Sequence, residues 1–387
     1  MLKVAIVGCG KIANEHALQI RRIPGCRLVG FCDTEPLMAK QMHERFDGAP
    51  YFDDIRELLS DVQPDVVHIT TSPQSHLPLA QVCLDAGCHA YIEKPFTLNT
   101  EQARQLISTA TQRRRKVTVG HSAHFTGPAN RMRALIRDGF LGGRPLHVES
   151  YYGYDLGDGG YARAFLGDTN HWVRKLPGML LQNIISHGIG RISEHLRSDS
   201  PTVIAHAFTS QALKTIGETE ILDELRVILH DDPMTAYFTF STQIRPHLAQ
   251  LRVYGPKGAL IIDDNQETLI RLKGARYKSY LENFIPPMSL ASQYAANSAA
   301  SVRRFLTHQL NVNAGMKSLI ERFYRSIRND DPVPIPYREI LLTSTVMDSI
   351  FSQIDHRRRT SLHRTGTESG NSVNGVLLPS KVALGSS

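Results

Sequence analysis

The sequence is poor in the features that mark disulfide-rich, zinc-binding or membrane-spanning proteins. Its five cysteines form no C-x-x-C pair and have no histidines at zinc spacing, so we expect neither a disulfide framework nor a metal site. No stretch approaches the roughly 20 apolar residues of a membrane span. The first apolar run ends near Val7, too early for the core of a signal peptide. We therefore expect a protein of the reducing cytoplasm with no membrane partner.

The composition is that of an ordinary globular protein. Apolar residues make up 41% and charged residues 21% of the 387 positions, which excludes wholesale disorder, collagen and coiled coil. At about 150 residues per domain, we expect two domains with an extension. The net charge of +7 includes basic runs at Arg113 to Lys116 and Arg357 to Arg359. Both runs lie at the ends of helical patterns, where cations complement the helix dipole, so we expect no nucleic-acid partner.

Residues 1–121 alternate short apolar runs with helical patterns, which is typical of a doubly wound α/β domain with a parallel sheet. The predicted strands are Val4 to Val7, Leu28 to Phe31, Val66 to Ile69, Ala90 to Ile92 and Val117 to Val119. The helical patterns between them cover Ile12 to Ile23, Leu37 to Phe46, His76 to Ala86 and Glu101 to Gln112.

Residues 122–355 follow a different rhythm, which predicts an α+β domain with a large, open, mostly antiparallel sheet. The predicted helices are Pro128 to Arg137, Leu181 to Leu196, Ala300 to Leu310, Met316 to Ile327 and Arg338 to Ile354. Seven predicted strands lie at 146–154, 203–208, 222–230, 235–240, 248–254, 259–262 and 268–272. Residues 356–387 have no period, and we expect a flexible tail.

A phosphate-binding motif, G-x-G-x-x-A, follows the first predicted strand and opens the first helix. Its small residues allow a tight turn, the approach of a pyrophosphate and close packing of helix on strand. Asp33 stands 20 residues beyond the motif, where a carboxylate binds the ribose, and no arginine follows it. The pattern predicts a Rossmann domain that binds NAD, with NADP less favoured. A glycine-rich turn that serves only packing is the alternative. The predicted cofactor residues are Gly8, Gly10, Lys11, Ile12, Ala13 and Asp33.

A second motif, Glu93-Lys94-Pro95, follows the fifth predicted strand. With the Thr71 to His76 loop, the Arg131 to Gly143 stretch, a helix near His187 and the Gly255 to Gly258 turn, it resembles the glucose-fructose oxidoreductase and inositol dehydrogenase family, usually called Gfo/Idh/MocA. The resemblance covers about residues 1 to 355. It implies a dinucleotide domain followed by a domain whose sheet roofs the substrate pocket and forms a homo-oligomer interface. It adds Thr71, Pro73, His76, Glu93 and Lys94 to the cofactor site.

The resemblance also implies the catalytic residues. In the family, the lysine of Glu-Lys-Pro points at the nicotinamide ribose and the reacting hydroxyl, which assigns that place to Lys94. The family helix carries Asp-x-Gly-x-His-x-x-Asp, and this chain keeps only the histidine, with Asn183 and Gly190 in place of the carboxylates. Asparagine cannot accept a proton, so the base is His187 or Lys94. A satisfied buried histidine is the alternative reading of His187.

The loop from Tyr151 to Trp172 offers aromatic faces for a sugar ring and polar groups for its hydroxyls. Aromatic residues of a core or an interface are the alternative. Extended to Lys175, the loop also carries the cations Arg163, Arg174 and Lys175, which predict a phosphorylated, nucleotide-linked or acidic sugar. The predicted substrate-binding residues are Lys94, Asn170, His171, Trp172, Asn183 and His187.

These observations together predict an NAD(P)-dependent oxidoreductase that acts on a CH–OH group of a sugar or cyclic polyol, nucleotide-linked or acidic sugars included. Two other readings stay open on the same scaffold. One is a catalytically silent dinucleotide-binding sensor, because the family's two carboxylates are replaced. The other is reduction of trans-dihydrodiols or imines.

Overall fold

A computed structural model describes residues 1–156, 161–274, 277–307 and 313–368, with backbone alone at 161–163, 279 and 358–368. The described chain forms two sheets, each with its own hydrophobic core. The predicted fold class, a doubly wound α/β domain followed by an α+β domain, is confirmed. None of the helices described combines the length and apolar character that crossing a membrane requires.

The first sheet has six parallel strands in the order β3-β2-β1-β4-β5-β6, the Rossmann arrangement. Both faces are covered by helices, so its central strands are buried throughout. The strands are β1 (Leu2–Val7), β2 (Cys26–Cys32), β3 (Tyr51–Phe52), β4 (Val66–Ile69), β5 (His89–Ile92) and β6 (Val117–Val119). The helices are α1 (Lys11–Arg21), α2 (Pro36–Arg45), α3 (Ile55–Val62), α4 (His76–Asp85) and α5 (Thr100–Gln112).

The second sheet has seven strands in the order β13-β12-β11-β7-β10-β9-β8. Only the β7 and β10 pair is parallel; the other neighbours are antiparallel. The strands are β7 (His147–Gly153), β8 (Thr202–Phe208), β9 (Glu224–Asp231), β10 (Met234–Ser241), β11 (Ala249–Tyr254), β12 (Gly258–Asp263) and β13 (Thr268–Lys273).

The helices of the second half pack on one face of this sheet, along its edge, or back on the first domain. They are α6 (Gly127–Arg137), α7 (Tyr161–Gly167), α8 (Met179–Ile184), α9 (Ser186–Ser193), α10 (Gln211–Thr215), α11 (Ile285–Leu306), α12 (Ala314–Asn329) and α13 (Tyr337–Glu368). The predicted helix at 181–196 is thus two short helices that meet at Ile185, and α11 begins 15 residues before the predicted Ala300.

Helix α12 follows the second sheet in the chain but completes the core of the first domain. Leu319, Phe323 and Tyr324 are fully buried against the Rossmann strands and helices. The Lys116 ammonium ties the two parts together by donating to the carbonyls of Ser326 and Asp331, at 2.7 Å each. A division at residue 121 therefore separates the two sheets but does not separate the two cores.

The last helix is longer than expected. Its apolar face packs on the second core through Val346, Ile350 and Ile354, and the helix then continues to Glu368. Residues 356–368, which we predicted as the start of a flexible tail, are therefore helical. Asp355, His356 and Arg357, which follow Ile354, are exposed, so the hydrophobic period ends there and the pattern predicted the end of the helix at that point. Residues 369–387 lie outside the described part.

Candidate active site

The phosphate-binding loop joins β1 to α1 with the geometry that its small residues predict. Gly8 has φ +90°, and a Cβ there would lie 2.5 Å from Thr71 Cγ2 and 2.8 Å from Thr71 N, so only glycine fits. At Gly10 a Cβ would meet no atom within 4 Å, which leaves open space above the loop. Ala13 is fully buried between helix and sheet. Lys11 and Ile12 are exposed on the first turn of α1.

Asp33 lies against this loop at the end of β2. Its carboxylate accepts a hydrogen bond from Cys9 N at 2.6 Å and another from Glu35 N at 2.9 Å. The half-buried side chain is thereby fixed at the edge of the open space above Gly10. The structure brings the two parts of the predicted motif together, and the cradle fits a dinucleotide.

The loop after β4 is held from behind by a buried histidine. His76 is fully buried, with Nε2 3.1 Å from Thr71 O and Nδ1 3.0 Å from Pro95 O. Burial lowers its pKa, although the backbone carbonyls oppose the shift. Both ring nitrogens face protein oxygens, so His76 shapes the loops that carry Thr71 and Lys94. Pro73 is buried at the start of the intervening turn.

Lys94 joins the two domains. Its ammonium donates to Asn183 O at 3.1 Å and to Asn183 Oδ1 at 3.4 Å. Burial lowers the pKa of Lys94, while the neighbouring Glu93 opposes that shift. The buried Glu93 carboxylate accepts from the Lys94 backbone amide at 3.2 Å. Two residues predicted from separate motifs, 89 positions apart, therefore meet at the carboxyl edge of the first sheet.

His187 lies on α9, one helical turn beyond Asn183. Its ring stacks on Tyr152 of β7, with centroids 5.5 Å apart and planes at 12°. Burial lowers the pKa of His187 well below its usual value, and the charges of Lys94 and Arg191 and the neighbouring His121 add to this. The imidazole is therefore neutral near pH 7 and able to accept a proton.

Two further histidines line this region, and we did not count them among the site residues. His121 and His124 follow β6, and their rings stack with centroids 5.4 Å apart. The Nε2 atoms of both rings and the Ser186 hydroxyl are buried without a hydrogen-bond partner among the described residues. Burial lowers the pKa of His121 to about 4. Their place just after a Rossmann strand was the available sequence signal.

The histidine pair also accounts for one departure from the family's helix pattern. Gly190 takes the place of the family's second carboxylate, and a Cβ there would lie 3.1 Å from His121 Nδ1 and 3.3 Å from His124 Nε2. The two imidazoles thus occupy the space into which a side chain at position 190 would extend. Arg191, the next residue, is buried and forms an ion pair with Asp264.

The aromatic loop contacts the first domain through its backbone. Gln74 Nε2 donates to Trp172 O at 3.2 Å, which places the loop beside the cofactor-binding side. His171 and Trp172 are half-buried, and Asn170 is exposed.

One of the cations predicted to bind an anionic substrate, Arg174, is engaged within the protein. Arg174 donates to Phe165 O at 2.7 Å and to Glu218 Oε2 at 2.5 Å, so its guanidinium is engaged within the protein. Lys175 is exposed. The Arg163 side chain lies outside the described residues. The ion pair with Glu218, 44 positions away, left no local signal in the sequence.

The fold and the site define a two-domain protein of the dinucleotide-binding class, with a lysine and a histidine where the domains meet. Residues 2–121 match the model of the oxidoreductase family with an NAD-binding Rossmann fold, Gfo/Idh/MocA. Over these residues the chain matches the NAD-binding domain of that family.

Comparison with individual proteins gives a range of relatives. The D-glucoside 3-dehydrogenase of Escherichia coli K12 is 31% identical over 142 residues, which are 36% of this chain and 40% of that protein. The alpha-N-acetylgalactosaminidase of Shewanella oneidensis MR-1 is 26% identical over 213 residues, which are 51% of this chain and 44% of that protein. The chain thus spans less than half the length of these two curated relatives.

Solved structures show the likeness over the whole fold. The WlbA dehydrogenase from Bordetella pertussis, solved in complex with NADH and UDP-GlcNAcA, superposes with a TM-score of 0.71 at 15% identity. The superposition covers 91% of this chain and 94% of that chain. At this identity the likeness establishes the architecture of both domains.

Proposed function

We propose that the protein is an NAD-dependent dehydrogenase that transfers a hydride between a carbinol carbon of a sugar or cyclic polyol and the nicotinamide. The observation that carries this proposal is the contact of Lys94 with Asn183, one helical turn before His187. It joins the cofactor domain to the histidine helix at the edge where doubly wound sheets bind ligands. The two curated relatives are enzymes by name, which favours an enzyme over a silent sensor.

NAD is the proposed cofactor because Asp33 stands at the ribose position with its carboxylate fixed by two backbone amides. A carboxylate would repel the 2′-phosphate of NADP. The open space above Gly10 and the amides at the start of α1 would hold the pyrophosphate. Thr71, Pro73 and Glu93 would border the nicotinamide side. When bound, the cofactor supplies the hydride acceptor.

His187 is the proposed proton acceptor, and Lys94 is proposed to orient the reacting hydroxyl. A neutral imidazole can take the hydroxyl proton as the hydride leaves, whereas Lys94 is held as a donor by the two oxygens of Asn183. The lysine charge would then stabilise the developing alkoxide. His121 Nε2, His124 Nε2 and Ser186 Oγ would bind further hydroxyls, since these buried atoms have no partner among the described residues.

The structure favours an uncharged reacting ring. Arg191 and Arg174 are both paired with carboxylates, and the histidines around Lys94 are kept neutral by burial. We therefore place neutral glycosides and inositols ahead of acidic sugars. A nucleotide-linked sugar stays compatible, because its charged group would lie away from the reacting ring.

The test is a screen for NADH formation by absorbance, with glucosides, inositols and UDP-linked sugars as substrates and NAD in excess. We expect turnover with at least one class and a smaller signal with NADP. Nitrophenyl N-acetylgalactosaminide forms a parallel arm, and release of nitrophenol would favour a glycosidase. Tight NAD binding without turnover in either arm would favour the sensor.

A homo-oligomer through the second sheet is also proposed. Ile204, Ile228 and Tyr237 are exposed neighbours on adjacent strands, with 53%, 47% and 46% of their surface accessible. Beyond the opposite edge of the sheet, α11 buries none of its residues and exposes Met288, Phe305 and Leu306. Apolar patches of this kind mark protein interfaces. The five free thiols of the chain fit the proposed cytoplasmic location.

A further inference from the structure

A chain of four buried polar side chains runs from the active site into the core of the first domain. Glu93 Oε1 lies 2.9 Å from His16 Nε2, His16 Nδ1 lies 2.7 Å from His68 Nδ1, and His68 Nε2 lies 2.8 Å from the Tyr324 hydroxyl. Glu93 directly follows β5, and His16, His68 and Tyr324 lie on α1, β4 and α12. Glu93 is 6% exposed and the other three are fully buried.

The hydrogen bonds of this chain have one consistent direction. An ionised carboxylate only accepts, so His16 donates to Glu93 from Nε2 and accepts at Nδ1. His68 must then donate from Nδ1 and accept the Tyr324 hydroxyl proton at Nε2. In the reverse direction the Tyr324 hydroxyl would need another acceptor, and the described residues give it only His68. Each donor has an acceptor only when the chain points toward Glu93.

This chain of hydrogen bonds ends at Glu93, the residue that holds the Lys94 backbone amide. Glu93 Oε2 accepts from the Lys94 backbone amide, while Oε1 accepts from His16 Nε2–H. The carboxylate is tightly enclosed, since a Cβ on Gly120 would lie 2.5 Å from Oε1. Burial alone would raise the pKa of Glu93, but its interactions with His16 and, after them, those with Lys94 outweigh burial, and the pKa is lowered.

We propose that Tyr324, His68 and His16 are positioning residues of the active site, which hold Glu93 as a fixed anion behind Lys94. Each acts through the next, and the last holds the backbone and the charge of the lysine that orients the hydroxyl. The inference rests on the proposed function. It gives α12 a part in the chemistry of a site whose proposed catalytic residues all lie on other elements.

Other ionisable groups also face the Glu93 carboxylate, so their effects must be distinguished from that of the four hydrogen-bonded side chains. Lys94 and Tyr91 lie on β5 and its end, His76 starts α4, and His121 follows β6. Tyr91 provides a matched control. Its ring stacks on His68 with centroids 4.5 Å apart, yet its buried hydroxyl makes no hydrogen bond with the described residues.

The test compares Tyr324→Phe with Tyr91→Phe in the full-length protein, each variant losing one buried hydroxyl beside His68. The histidine tautomers are read from two-bond ¹H–¹⁵N spectra, and the ionisation of Glu93 from ¹³C-carboxyl titration. We expect Tyr324→Phe to release the Nδ1–H tautomer of His68 and to raise the Glu93 midpoint by about 0.5 to 1 unit, the scale of a lost hydrogen bond. Tyr91→Phe should leave both signals unchanged.

The kinetic arm follows kcat/KM against pH on a confirmed substrate. Glu93 must be ionised, so the fall in activity on the acidic side should move upward with its midpoint in Tyr324→Phe. The KM for NAD should stay within a few fold. His68→Gln serves as the rescue variant, because its amide can donate to His16 and accept from Tyr324, and it should restore the wild-type profile where His68→Leu does not.

Unchanged tautomers and an unchanged Glu93 midpoint in Tyr324→Phe would overturn the proposal. A changed His68 tautomer and Glu93 midpoint with a wild-type pH profile would overturn it too, since the hydrogen-bond network would then serve folding alone. The magnetic resonance arm needs no substrate. If no sugar is turned over, the proposed function fails, while the Glu93 midpoint still decides whether the chain acts on the carboxylate.

Discussion

At the scale of single residues, the polar groups that face the crevice are held in place or kept neutral by their neighbours. Asp33 is held by two backbone amides, Lys94 by the oxygens of Asn183, and His187 is kept neutral by burial and nearby cations. The site therefore holds a proton donor, Lys94, and a proton acceptor, His187, which is what general acid–base chemistry needs.

Asp33 should control the choice of cofactor. Replacing it with serine removes the charge that opposes a 2′-phosphate, so the preference for NAD over NADP should shrink by about 1 to 3 kcal/mol. Calorimetric titration of both cofactors into wild type and variant measures the change. Glu35→Gln is the control, because it removes a neighbouring charge without touching the Asp33 carboxylate. Tighter binding of NADP than of NAD by the unmodified protein would disprove the assignment.

His187 should contribute, together with Glu93, to the acidic limb of the activity profile. The pKa of His187 lies well below the usual value of about 6.5, so its imidazole stays unprotonated at neutral pH. Turnover should therefore decline only once the pH has fallen below about 6.5. His187→Ala should lower turnover by roughly 10² to 10⁴ with NAD affinity within a few fold. Turnover that instead begins to decline above neutral pH would point to Lys94 as the proton acceptor, because its lowered pKa starts from a higher ordinary value than that of His187.

At the scale of elements, helices α6, α9 and α13 approach one another through three charged side chains. Arg133 of α6 pairs with Glu194 after α9, with Nε to Oε1 at 2.5 Å and Nη2 to Oε2 at 2.9 Å. Glu339, in the first turn of α13, is close enough to Glu194 for repulsion. Burial and the charge of Glu194 raise the pKa of Glu339 to about 7, against the opposing charges of Arg133 and Arg338.

This carboxyl should make the folded state less stable above neutral pH. Its folded pKa exceeds its unfolded value, so the favourable contribution is complete below pH 4.5 and is lost as the pH rises through about 7. Glu339→Gln removes that loss and should raise the free energy of unfolding at pH 8 by about 1 to 2 kcal/mol, with little effect at pH 4.5. Urea denaturation at the two pH values tests it. An equal gain at both would contradict the titration.

Elements with a long, periodic pattern could be predicted from the sequence, and short or distant ones could not. Strands β4 and β6 match their predicted ends because they are continuous buried runs. Strand β3 is two residues at the sheet edge, too short for any period, and α3 was missed with it. In the structure Asp54 caps α3, since its carboxylate accepts from the backbone amides of Arg56 and Glu57.

The same limit applies to the site. The loop at Gly8, Asp33 and the Lys94 triplet carry local motifs, so their places could be predicted. The partners of His68 lie 52 and 256 positions away, and such contacts leave no spacing to read. The pairing of Arg174 with Glu218 was hidden for the same reason, and the charged-substrate hypothesis depended partly on that arginine.

At the scale of the whole molecule, one face of the second sheet is uncovered in the described chain. Helices α9 and α13 pack on the other face, and cross-strand pairing places Ile204, Ile228 and Tyr237 in one row. A second copy would bury this row.

Charge placed in the row should break the assembly. Ile228→Asp should shift the mass measured by light scattering toward that of one 43.2 kDa chain, because an unpaired carboxylate in an apolar interface is costly. Leu37→Asp is the control, because it makes the same kind of change, apolar to acidic, at an exposed residue of the first domain. A wild-type mass of one chain, or an unchanged mass in Ile228→Asp, would refute the interface.

The return of α12 to the first domain has a consequence for how the protein is made. His68 leaves the ribosome 256 residues before Tyr324, the partner that covers it. At about 5 to 20 residues per second, this is an interval of about 10 to 50 s. During this interval the Rossmann strands have an apolar face that α12 does not yet cover, and His68 Nε2 lacks its Tyr324 partner. The nascent chain therefore presents a long-lived target for chaperones, and its first domain is finished almost last.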